Sequence, residues 1–145
     1  MTTQHFVPEV VSIADACLGG LRGRSALLIG PEVLRRPYEL LLQQAGMKRI
    51  YAEDTPRRIS SILPHVQLLM HIPISSEPYT YAHSQALITA ASIAQGCIGR
   101  HTPLLIFDLA SSTSIEEMAG LLPAVCLYTP DDLHRILSRT EVQIS

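Results

Sequence analysis

Residues 25–30 read SALLIG, an unbroken apolar run that ends in glycine. A strand with one wet face alternates polar and apolar residues. This one does not, so it predicts a strand covered on both sides, as in the middle of a parallel sheet. Residues 66–72 (VQLLMHI) and 103–109 (PLLIFDL) repeat the pattern. Parallel neighbours need long crossovers, usually helical, so these runs alone commit the chain to alternating strands and helices.

The intervening segments agree. Residues 8–18 predict a helix, with Val11, Ala14 and Leu18 at helical spacing and Gly19-Gly20 as its stop. Residues 33–45 predict a second, with Leu34, Leu41 and Leu42 inward and Gly46 closing it. A short strand follows at residues 49–52. A helix at 55–63 is opened by Thr55, with Pro56 at its first position. Residues 73–79 form a loop rich in Pro and Ser, and residues 81–96 a long helix. Residues 114–121 predict a helix, 125–128 a fifth strand, and 130–137 a last helix opened by Thr129. Residues 138–145 carry no strong signal and are taken as a tail; residues 1–22 hold the first helix and its turn.

The expected architecture is therefore α/β: a three-layer, Rossmann-like, doubly wound parallel sheet of about five strands, ordered 2-1-3-4-5. Ligands bind such sheets where the strand order reverses, here beside Gly30 and the loop after Ile72. The 145 residues suit one domain. With 47% hydrophobic and 17% charged residues the chain can bury a core, and a net charge of −2 gives no basic footprint for nucleic acid. No apolar run is long enough to cross a membrane, and no signal peptide is evident, so a cytoplasmic location is expected. Cys17, Cys97 and Cys126 are too scattered for a zinc knuckle and are expected as buried apolar residues. None of the six histidines has HxxxH or HExxH spacing, so no metal is expected.

Two stretches carry a resemblance. LGGLRGRSALLIGPEVLRRPYELLLQQAGMKRIYAEDTPRR, at residues 18–58, resembles the start of the NADP-binding domain of glutamyl-tRNA reductase. TPLLIFDLASSTSIEEMAGLLPAVCLYTPDDLHRIL, at residues 102–137, is similar to that family's segment around its Asp-x-Ala-x-Pro-Arg motif. The resemblance implies a nucleotide-binding domain, an NAD or NADP cofactor and a place in tetrapyrrole (porphyrin) biosynthesis. The implied cofactor site is Gly30, Pro31, Glu32, Asp54, Thr55 and Ser75.

The departures fall on that site. A dinucleotide loop uses three glycines, and here only Gly30 remains. Pro31 removes an amide donor, Glu32 sets a like charge against an anion, and Val33 adds a branched side chain. The family's Asn-Arg-Thr is Glu53-Asp54-Thr55, and its Pro-Arg is Ser112-Thr113, while Asp108 and Ala110 remain. Asp54 repels a 2′-phosphate but suits a ribose hydroxyl, which favours NAD. A strand and helix of the family look deleted between Leu63 and Val66. The family's catalytic domain, with its cysteine nucleophile, and its dimerising helix have no counterpart in these residues. Weakened dinucleotide binding is expected.

His71 and Asp108 end neighbouring strands and are candidates for proton transfer, with Tyr79, Tyr81 and His83 nearby; a polar strand end is the simpler reading. Ser75-Ser76 and the Ser111–Thr113 hydroxyls suit a phosphate or a carboxylate, or simple capping, where Thr113 or Ser114 before Glu116 and Glu117 resembles a capping box. No Ser sits in a hydrolase elbow. Three functions stay open: a nucleotide-binding component beside a separate catalytic chain; a protein-interaction or self-association module that has lost the cofactor; and an enzyme for another small ligand in the same crevice. A protein partner or homo-oligomer is expected in the second case.

Overall fold

A computed structural model describes residues 6–73 and 88–144, with side chains through residue 139. Five parallel strands form one sheet in the order β2-β1-β3-β4-β5. β1 (Ser25–Ile29), β3 (Leu68–His71) and β4 (Leu104–Asp108) are buried at every position. β2 (Arg49–Glu53) and β5 (Val125–Tyr128) are partly exposed, as the sheet's edges. The unbroken apolar runs thus take the centre of the sheet.

Within each central strand, alternate residues serve opposite faces. Ala26, Leu28, Leu68, Met70, Leu105 and Phe107 pack with α1 (Val7–Leu18), α2 (Glu32–Gln44) and α5 (Pro130–Ile144). Leu27, Ile29, Leu69, Leu104 and Ile106 pack with α3 (Ile59–Ile62) and α4 (Ala90–Gly96). The result is three layers. Each fully buried Leu or Ile contributes roughly 1.5–3 kcal/mol, so a polar residue on either face would be strongly destabilising. Arg100 gathers the segments entering β3 and β4 by donating to the carbonyls of Leu63, Val66 and Pro103.

Several local expectations need correction. The helix expected at 81–96 is seen only as α4; residues 74–87 lie outside the described residues. Its expected extent fails at Ile88, which makes a parallel bridge to Ile115 instead. Thr89 is extended and caps α4 by accepting from Ser92 N. The helix expected at 114–121 is a 3-10 turn over Glu117–Leu121. Its start is diverted because the amides of Ser114 and Ile115 donate to the Asp108 carboxylate. The expected capping box does not form there, since Glu116 accepts from Ala90 N, on α4, at 2.6 Å.

The tail expected from residue 138 is helical, because α5 runs to Ile144. No Gly or Pro interrupts it, and Thr129 and Asp132 start it with reciprocal bonds of 3.0 and 3.1 Å. The segment 55–63 breaks into the 3-10 turn Pro56–Arg58 and α3, followed by a second 3-10 turn, Leu63–His65, that carries Pro64. The cysteines are not core residues: Cys17 and Cys126 are exposed and Cys97 is half-buried. Small side chains near helix and strand edges need not turn inward.

Candidate functional site

The carboxyl edge of the sheet carries two groups of polar side chains. The first lies between β1 and β2. Gly30 follows β1 with φ +151°, and a Cβ there would stand 2.2 Å from the Ile72 carbonyl oxygen. Only glycine lets the first and third strands end side by side at this point. Pro31 is the residue before α2, and its carbonyl accepts from the amides of Leu34 and Arg35. Glu32 and Val33 are exposed in the first turn, and Glu32 pairs with Arg36 at 3.0 Å.

Arg35 dominates this group. Its Nη1 donates to the Gly30 carbonyl at 2.6 Å and to Asp54 Oδ1 at 2.8 Å, and its Nε donates to Glu39 at 3.1 Å. Its side chain is 12% exposed, whereas that of Asp54 is 81% exposed. Burial opposes the charge on Arg35, but its bonds to the Asp54 and Glu39 carboxylates outweigh it and hold its pKa above the ordinary value. Thr55 is exposed and forms no side-chain cap. Arg58 lies 3.7 Å from Glu53.

The second group lies between β3 and β4, where His71 and Asp108 are register partners. They do not bond to each other directly; Ser114 joins them. His71 Nδ1 is 2.7 Å from Ser114 Oγ, which donates to Asp108 Oδ1 at 2.6 Å. Asp108 also accepts from the amides of Ala110, Ser114 and Ile115. Since the Ser114 proton goes to Asp108, its oxygen accepts from His71, which assigns the proton to Nδ1 of a neutral imidazole. Burial lowers the His71 pKa to about 4, against the opposing pull of Asp108. His71 is 2% exposed and Asp108 1%.

The structure therefore brings Gly30, Pro31, Glu32 and Asp54 to one mouth, and His71 with Asp108 to the next. Ser75, Ser76, Tyr79, Tyr81 and His83 lie outside the described residues. Sequence reasoning missed Arg35 and the bridging role of Ser114. For Arg35 the available signal was a cation one turn into the helix after the strand-end glycine. For Ser114 it was an acid followed by a run of small polar residues, which favours local side-chain-to-backbone bonding over helix. No group of His, Cys, Asp or Glu suited to a metal is present among the described residues.

An open parallel sheet with polar groups at its carboxyl edge defines a Rossmann-like domain. Known proteins point the same way. The chain superposes on glutamyl-tRNA reductase from Methanopyrus kandleri with a TM-score of 0.72 at 18% identity, covering 99% of this chain and 39% of that one. It superposes on a dipicolinate synthase chain from Bacillus halodurans with a TM-score of 0.66 at 11% identity, covering 98% and 53%. In sequence it is related to glutamyl-tRNA reductases. That of Stutzerimonas stutzeri is 30% identical over 139 residues, and that of Pseudomonas fluorescens 27% over 139 residues. Each match covers 88% of this chain and 33% of the relative, so the chain spans about a third of their length. No protein-family model matches. The resemblance seen in residues 18–58 and 102–137 is borne out. Among the described residues, no helix is long and apolar enough to cross a membrane.

Proposed function

We propose that this domain is an accessory or nucleotide-binding component of tetrapyrrole biosynthesis whose grip on NAD or NADP is weakened. Relatives named glutamyl-tRNA reductase support the pathway. The observation that carries the weakening is the loop after β1. Where a dinucleotide needs amides and space, Pro31 offers no amide, Glu32 offers a carboxylate, and Asp54 is already engaged by Arg35. Calorimetric titration of NADP, NADPH, NAD and NADH tests this. The expected dissociation constants are roughly millimolar; micromolar binding of any of the four contradicts the reading.

A second reading is a self-association or protein-interaction module. Its support is three exposed apolar side chains, Ile98 just past α4 and Met118 and Leu121 in the 3-10 turn that packs against α4. Sedimentation velocity would show a mass that rises with concentration. A monomer at every concentration removes this reading.

A further inference from the structure

We propose that the Arg35–Asp54 ion pair is a latch across the crevice, competing with the ribose diol of an NAD-type dinucleotide for the Asp54 carboxylate. The inference rests on reading this crevice as a dinucleotide site and names a residue that weakens it.

The two ends of the pair are unequal. Arg35 is anchored at its root: its guanidinium bonds the Gly30 carbonyl and Glu39 as well as Asp54, and its side chain is mostly buried. Asp54 is exposed and, among the described residues, shows one side-chain bond, to Arg35. The arginine is thus the fixed part and the aspartate the part that can swing. Asp54 follows β2, at the place where an acid in sheets of this kind accepts the ribose hydroxyls. A carboxylate oxygen that already accepts from a guanidinium is a poorer acceptor for a neutral hydroxyl, because the charge-assisted bond is the stronger of the two. A ribose must therefore share Asp54 or displace Arg35. Removing the guanidinium frees the Asp54 carboxylate as an acceptor.

The test uses the full chain labelled with nitrogen-15. The Arg35 Nε–H resonance is compared between the wild type and Asp54→Asn, an exposed substitution that should not disturb folding. Titration with NAD, followed by backbone amide shifts, is then run on the wild type, Arg35→Gln and the double variant Arg35→Gln/Asp54→Asn. The latch predicts that the Arg35 resonance moves in Asp54→Asn. It also predicts that Arg35→Gln binds NAD about three- to tenfold more tightly than wild type, and that the gain disappears in the double variant. An Arg35 resonance indifferent to Asp54 overturns the latch and leaves the reading of the crevice intact. Weaker or unchanged binding in Arg35→Gln also overturns it, and weaker binding would mark Arg35 as an anion clamp. If the resonance responds but no form binds NAD, the reading of the crevice fails and the proposal falls with it.

Discussion

At the end of β4, Asp108 is buried and accepts four bonds, three from backbone amides and one from Ser114. At the end of β2, Asp54 is exposed and, among the described residues, meets a single guanidinium. Both acids sit on the same edge of the same sheet. The first organises the chain: the loop from Leu109 to Ile115 wraps around its carboxylate, and the bridge from Ile115 to Ile88 depends on that path. The second organises little, because exposed ion pairs are solvated and mobile. The β3–β4 half is thus a structural knot, and the β1–β2 half is where we propose that a ligand competes.

The largest expected effect breaks the knot. Asp108→Ala leaves the Ser114 hydroxyl and the amides of Ala110, Ser114 and Ile115 without their acceptor and should destabilise the fold by about 3–5 kcal/mol in urea denaturation. If Asp54→Asn is equally damaging, the contrast between the halves is wrong. Next comes Gly30→Ala, which forces a Cβ against the Ile72 carbonyl and should cost about 2–4 kcal/mol by the same assay.

His71 sharpens the comparison through pH. Its folded pKa lies near 4 and its unfolded pKa near 6.5, so between these values the unfolded chain binds the proton and the folded chain does not. Stability is therefore lost as pH falls from about 6.5 towards 4, by up to about 3 kcal/mol. Denaturation midpoints of wild type and His71→Gln should converge as pH falls through this window. A parallel decline in both would remove His71 as the cause. The smallest effect belongs to the open half: Asp54→Asn should change stability by less than about 1 kcal/mol, read from the urea midpoint.

Much of this was legible in the residues. SALLIG, VQLLMHI and PLLIFDL named the three central strands because their burial on both faces suppresses alternation. The strand order 2-1-3-4-5 followed only on the condition that the first strand sits centrally and the chain switches direction after the second, as it does. What the residues hid was tertiary competition for hydrogen bonds. Ser114 and Ile115 sit in a stretch that suits a helix start, yet Asp108, several residues back, takes their amides. Glu116 caps a different helix. Likewise Arg35 reads as one of several surface cations, and only folding sets it on Gly30 and Asp54 together.

We propose that a Rossmann-like fold persists here with a weakened grip on a dinucleotide at the β1–β2 mouth. Titrating labelled protein with NADH and mapping amide shifts tests it most directly. The expected shifts centre on residues 30–35 and 53–55 and are still climbing at roughly millimolar ligand. Saturation at micromolar ligand, or shifts centred on His71 and Ser114, would contradict it.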